Sequence, residues 1–261
     1  MTRSARIIAI TNQKGGVGKT TTAINLAAAL ATAEQRVLLI DGDPQGNATS
    51  GLGIEVQPNG LTLYEVLADA SLVRGAIRTG VYFPNLDVIP ATPDLAGAEV
   101  ELVGLENRET RLASAIQGLR ADYDFIIVDC PPSLGLLTVN MLAAADGLII
   151  PLQCEYFALQ GLSQLLRTVK LVQEAVNPPL TIEGVLLTMY DARLNLSRQV
   201  ASDAREHFGT VVFDAVIPRN IRLAEAPSFG KPIILYDITS VGAVSYLAVA
   251  KEFMERQKTH V

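Results

Sequence analysis

Tryptophan is absent from the chain, and only 5% of its residues are aromatic. That leaves little material for stacking successive bases, so a single-strand nucleic-acid platform is not expected. Cysteine is equally scarce. Cys130 and Cys154 stand too far apart for a C-x-x-C redox or zinc pair, and two thiols make no disulfide framework. They read as small buried hydrophobes, and an iron–sulfur cluster, which needs four thiolates, is not expected. The two histidines, His207 and His260, are isolated and point to no imidazole metal site. No uninterrupted apolar run approaches the roughly 18 residues of a membrane helix. The opening MTRSARIIAI is too short an apolar stretch for a signal peptide. A soluble, cytoplasmic protein is expected. The formal net charge of −6 argues against a constitutively basic nucleic-acid binder, although a local basic patch remains open.

What is present is a large apolar fraction, 49%, with 18% charged residues over 261 positions. One domain spanning residues 1–261 fits that length. Strand-length apolar runs recur at Arg6–Ile10, Val37–Asp41, Leu86–Ile89, Phe125–Asp129, Leu148–Leu152, Ile182–Thr188 and Val211–Ile217. Several are rich in Val, Ile and Leu without alternation, as strands covered on both faces are. Helical patterns separate them, for instance Leu159, Leu162, Leu166, Val169 and Val172 on one stripe. Strands alternating with helices predict an α/β fold with a doubly wound, mostly parallel sheet. Pro58–Arg120 is the least regular stretch, read as peripheral helices with a short strand.

The sequence NQKGGVGKTTT, from Asn12 to Thr22, sits between the first strand and a helical pattern. In that setting a glycine-rich turn is a phosphate-binding loop. Its backbone N–H groups converge on an anion at a helix N-terminus. Lys19 is placed to reach the outer phosphates of a nucleotide, and the Thr20 hydroxyl to ligate Mg²⁺. The usual first glycine is replaced by Gln13. The glycines fall at Gly15, Gly16 and Gly18, and a second lysine, Lys14, precedes them.

Two acidic stations follow at strand C-termini. In LLIDGDPQGN, Asp41 and Asp43 alternate along an extended chain, which puts both on one side. A carboxylate there can orient or deprotonate an attacking water. In FIIVDCPP, four apolar residues end in Asp129, the pattern of a Walker B strand whose acid holds Mg²⁺. Two later loops, around Met189 and around Pro218–Asn220, follow further strands. There Met189 and Pro218 can pack on a base and Asn220 can read its edge.

Together these blocks resemble the ParA/Soj partition ATPases, within the larger ParA/MinD group with a deviant Walker A box. The resemblance covers nearly the whole chain: ITNQKGGVGKTTT, LLIDGDPQGNATSGLG, IIVDCPPSLG, PLQCEYFALQGL and IPRNIRLAEAPSFGKPI. It implies an ATPase that uses ATP/ADP and Mg²⁺. Its nucleotide residues would be Lys14, Gly15, Gly16, Val17, Gly18, Lys19, Thr20, Thr21, Met189, Pro218 and Asn220. Thr20, Asp43 and Asp129 would serve the metal, and Lys14 and Asp43 would be catalytic. In that family the extra lysine reaches across a dimer interface to the partner's nucleotide. Charge logic agrees, since two facing ATP molecules are strongly anionic and cations in trans stabilise the pair. The implied function is a switch with weak intrinsic ATPase activity. ATP gives a homodimer that binds double-stranded DNA non-specifically, and a ParB-type partner stimulates hydrolysis and release. Arg193 and Arg222 are the expected DNA contacts, and the nucleoid the expected location. The first strand begins close to the start of the chain, as in the short chromosomal-type members. A MinD-like membrane ATPase is the alternative, disfavoured because Lys251–Val261 has no marked apolar face. An amide-forming synthetase or an iron protein on the same scaffold is a third class.

Overall fold

The computed structural model describes residues 4–155 and 158–259, the side chains of 158–161 and 259 excepted. Six strands build the centre: β1 (Arg6–Ile10), β2 (Val37–Asp41), β3 (Leu86–Ile89), β4 (Phe125–Asp129), β5 (Gly147–Gln153) and β6 (Thr181–Thr188). They form one sheet in the order β3-β2-β4-β1-β5-β6, every pairing parallel. This is the doubly wound α/β architecture the alternating pattern predicts. From β1 the chain crosses to β2 on one side, whereas β4 leads past β1 to β5 on the other. The C-terminal end of β1 therefore lies where the connections diverge, the position at which such sheets bind ligands.

Each strand feeds two cores, because successive side chains point to opposite faces. Ile7, Ala9, Leu38, Ile40, Ile126 and Val128 pack on one face, against helices that include Leu136–Ala144 and Ala158–Ala175. Ile8, Ile10, Val37, Leu39 and Ile127 pack on the other, against the helix Lys19–Thr32 and the C-terminal helix Val241–Thr259. The first of these helices is alanine-rich and largely buried, so it sits close to both sheet and C-terminal helix. The Thr22 and Tyr246 hydroxyls meet across that contact at 3.1 Å. Around β3 lie short helices such as Leu63–Ala68, whose start is fixed by a capping box between Thr62 and Glu65. In the Ala158–Ala175 helix, Leu162, Leu165, Val169 and Val172 are buried and Leu166 is partly so. The side chain of Leu159, like His260, lies outside the described residues. Phe253 is buried and Met254 packs on the core, and among the described residues no helix is long and apolar enough to cross a membrane.

One expected strand does not form. Val211–Ile217 reads as β-structure, yet its pairing with β6 is an isolated bridge, Val185–Val212, and not a ladder. The N–H groups of Phe213 and Ile217 do bond to the carbonyls of Val185 and Leu187, at 3.0 and 2.9 Å. Between them, Asp214 and Ala215 turn their N–H groups to the Glu252 carboxylate, at 2.9 and 3.0 Å. A side chain of the C-terminal helix thus takes the donors that a ladder would need. Phe213 fills the space over Gly184, where an added Cβ would lie 2.1 Å from the ring. The Arg256 guanidinium sits over the same ring, 4.3 Å from its centroid. Gly184→Ala is expected to displace that ring and lower stability by about 1–3 kcal/mol, read by thermal or urea unfolding.

Candidate functional site

The loop after β1 is stapled from two sides. The buried Asn12 donates to the Pro151 carbonyl at 2.7 Å, while its own oxygen accepts from the Lys14 N–H at 3.0 Å. From β6, the Thr188 hydroxyl donates to the Val17 carbonyl at 2.8 Å. Gly16 and Gly18 adopt left-handed backbone, φ 73° and 90°, which an L side chain resists. A Cβ added at Gly15 or Gly16 would meet nothing within 4 Å, so open space lies before the loop. The helix beginning at Lys19 has no side-chain cap, and its first-turn N–H groups remain available to an anion.

The two lysines of the loop take different courses. Lys19 is 7% exposed, and its Nζ donates to the Lys14 carbonyl at 3.1 Å, folding back under the loop. Burial lowers its pKa, while Asp129, Cys130 and Asp43 oppose that shift. Lys14 instead reaches Glu155, with Nζ 3.1 Å from Oε2, and its side chain is 39% exposed.

The acids divide the work. Asp41 and Asp129 are adjacent in register at the ends of β2 and β4. Asp41 is consumed by structure: its Oδ2 accepts from the Thr49 N–H and hydroxyl, at 2.8 and 2.6 Å, and its Oδ1 from the Asp43 N–H at 3.2 Å. Asp43 faces the cleft, with Oδ1 accepting from the Gln45 N–H at 2.9 Å. Asp129 is fully buried, and neither of its oxygens has a hydrogen-bond partner among the described residues. Burial, reinforced by the Asp41 carboxylate, pushes its pKa well above the usual range; the nearby Thr20 hydroxyl and Lys19 pull the other way. An orphaned acid behind a threonine hydroxyl is what a hydrated cation would satisfy. No cluster of three or more His, Cys, Asp or Glu suited to a metal occurs among the described residues. The unpartnered Asp129 and the Thr20 hydroxyl fit Mg²⁺ held chiefly by phosphate and water, with few protein ligands.

A cleft of about 530 Å³ joins these groups, lined among others by Gly15, Gly16, Gly18, Lys19, Thr20, Thr21, Asp43 and Met189. A smaller, more apolar cleft of about 190 Å³ continues from it, sharing Gly18, Thr21 and Met189 and adding Pro218 and Asn220. The two late loops meet because Tyr190 and Pro218 form a parallel bridge. Met189 is held at φ 49°, an unusual conformation for a side chain of its size and one concentrated at functional sites. The Asn220 side-chain oxygen caps the following helix at the Leu223 N–H, 3.2 Å away. Val17, expected at the nucleotide, is buried and is not among the residues lining either cleft; its carbonyl accepts from the Thr188 hydroxyl. The cleft also holds Asn25, Asn47, Pro227 and Lys231, which motif reading missed. Only the block APSFGKPI hinted at the last two.

Arg193 and Arg222 lie outside both clefts. Arg193 makes a two-pronged contact with Asp191, at 2.9 and 2.7 Å, which draws the Asp191 pKa down to about 2. Arg222 pairs with Glu225 at 2.9 Å and with Asp237 at 3.5 Å.

Comparison with known proteins adds independent findings. Residues 5–182 match a family described as an AAA domain. The chain is 60% identical to the sporulation initiation inhibitor protein Soj of Bacillus subtilis, covering 95% of this chain and 97% of that one. It is 59% identical to the chromosome partitioning protein ParA of Myxococcus xanthus, covering 96% and 88%. Among solved structures, cobyrinic acid a,c-diamide synthase from Mycobacterium smegmatis, with bound ADP and magnesium, superposes with a TM-score of 0.85. That match is 38% identical and covers 98% of this chain and 97% of the other.

Proposed function

The chain belongs to the ParA/Soj family of chromosome-partitioning ATPases, and from that premise we propose that it is an ATP-driven dimerisation switch. The ATP-bound chain pairs with a second copy, binds double-stranded DNA without sequence preference, and is released when a ParB-type partner stimulates slow intrinsic hydrolysis. The observation that carries this reading is the divergence of the two P-loop lysines. Lys19 serves its own cleft, whereas Lys14 is presented at the surface, where a second copy can meet it.

In this reading the loop N–H groups and Lys19 hold the phosphates. Met189 and Pro218 flank the base, and the Asn220 amide reads its edge. Thr20 and Asp129 would hold Mg²⁺, which would supply charge neutralisation at the phosphates. Asp43 orients the attacking water and takes its proton. Lys14 stabilises the partner's phosphates as an arginine finger does, so ATP occupancy and pairing become one event.

The arginines explain how a chain of net charge −6 can hold DNA. Pairing two copies sums their patches, and DNA phosphates displace the carboxylates that hold Arg193 and Arg222 in one copy. Affinity of the ATP form is expected to fall steeply with salt and to ignore sequence. Arg193→Ala and Arg222→Ala should each reduce the salt slope by about 2, because one substitution removes a phosphate contact from each of the two copies. Anisotropy titrations on unrelated duplexes at several salt concentrations check this; retention of one sequence at high salt would contradict it.

The name of the solved neighbour supplies a second reading, an ATP-dependent amide synthase. Turnover stimulated by DNA and a ParB-type protein supports the switch; turnover requiring a carboxylic acid and a nitrogen donor supports the synthase. Co-flotation with liposomes only in ATP would favour a MinD-like role instead.

A further inference from the structure

Glu155 is a half-exposed acid just beyond β5, and no part of the nucleotide chemistry above uses it. It nevertheless meets two of the cations around the site. Its Oε2 lies 3.1 Å from Lys14 Nζ, and its Oε1 lies 4.0 Å from an Arg219 guanidinium nitrogen. The Gln153 side-chain amide donates to the same Oε1 and fixes the carboxylate's orientation. Gln153 is the last residue of β5, so the arrangement rests on the sheet. The Lys14 backbone is fixed as well, by Asn12. Only the lysine's long side chain is free to choose a partner.

We propose that Glu155 is a positioning residue that parks Lys14 within its own chain and so sets how tightly ATP drives pairing. This rests on the reading that Lys14 acts on a second copy. In the single chain the ammonium is held by a carboxylate of the same molecule. To reach a partner's phosphates it must leave that carboxylate. Phosphate oxygens carry more negative charge than one carboxylate, so the exchange is favourable only when nucleotide is present opposite. Arg219 lowers the cost of release, because Glu155 retains a cation after Lys14 departs. Glu155 thereby suppresses pairing of empty chains and weakens, without preventing, pairing of loaded ones.

The test uses the full chain, wild type against Glu155→Gln and Glu155→Asp, with two readouts. The first is the rate at which an amine-acylating reagent modifies Lys14 in nucleotide-free protein, quantified by mass spectrometry against the exposed Lys251. Glu155→Gln is expected to raise the Lys14 rate severalfold, and Glu155→Asp to leave it near wild type. The second is the dissociation constant of the ATP-loaded dimer by sedimentation velocity. One partly exposed bridge is released per protomer, so Glu155→Gln is expected to tighten pairing by about three- to tenfold. That gain should shrink toward unity near 0.5 M salt, where exposed charges are screened; a merely structural role would give no such salt signature. An unchanged Lys14 rate overturns the parking contact itself. A raised rate with unchanged or weaker pairing overturns its regulatory role. A wild-type chain that stays monomeric with ATP, while the Lys14 rate still rises, leaves the contact standing and removes the trans reading beneath the proposal.

Discussion

Lys19→Ala is expected to abolish ATP binding, and with it every ATP-dependent property of the chain. The ammonium lies under the loop, 3.1 Å from the Lys14 carbonyl, and its charge opposes those of Asp129 and Asp43. Removing it leaves buried acids facing an incoming polyphosphate with no cation between them. Truncating one partner of a buried, hydrogen-bonded charge pair in a binding site costs about 2–5 kcal/mol. At about 1.4 kcal/mol per tenfold, that is roughly a thirtyfold loss of affinity or more. Titration calorimetry with a non-hydrolysable ATP analogue and Mg²⁺ measures it directly. If the variant still binds nucleotide and pairs, Lys19 is not the phosphate lysine.

Asp43→Ala is expected to separate binding from turnover. Asp43 lines the cleft but spends Oδ1 on the Gln45 N–H, so it is positioned by its own loop and not by Lys19. Loss of a general base typically costs about 10²–10⁴-fold in rate. The variant should bind ATP as wild type does, hydrolyse it at least a hundredfold more slowly, and stay paired on DNA. Phosphate release and dissociation from DNA, followed on one sample, check both halves. A variant that instead loses Mg²⁺-dependent ATP binding would make Asp43 chiefly a metal ligand. Rapid hydrolysis would remove it from the chemistry.

The central strands were legible because each is an apolar run of strand length, as strands buried on both faces are. The motif residues were legible for a related reason. They follow those strands directly, so sequence proximity to a strand end places them at the sheet's C-terminal edge. Val211–Ile217 misled because its composition is β-like, whereas its fate is decided by Glu252, some 40 residues on, a partner no local pattern reveals. Asp41 and Asp43 looked equivalent by alternation. Thr49 separates them by taking Asp41 into a buried network that also reaches the Ala91 N–H. Lys231 and Glu155 escaped for the same reason: each reaches the site from a loop whose course is set by tertiary contacts. Gly230, left-handed and packed on Gly53, turns the chain that delivers Lys231. For Arg193 and Arg222 the structure adds their partners, Asp191 and Glu225.

The central claim is that nucleotide matters to this chain because it joins two copies through Lys14. Sedimentation velocity of the wild type and of Lys14→Ala, each with ATP and with ADP in Mg²⁺, tests it most directly. The wild type with ATP is expected to sediment as a dimer, and the other three samples as monomers. A Lys14→Ala chain that pairs with ATP as tightly as the wild type would contradict it, as would a wild type whose mass does not distinguish ATP from ADP.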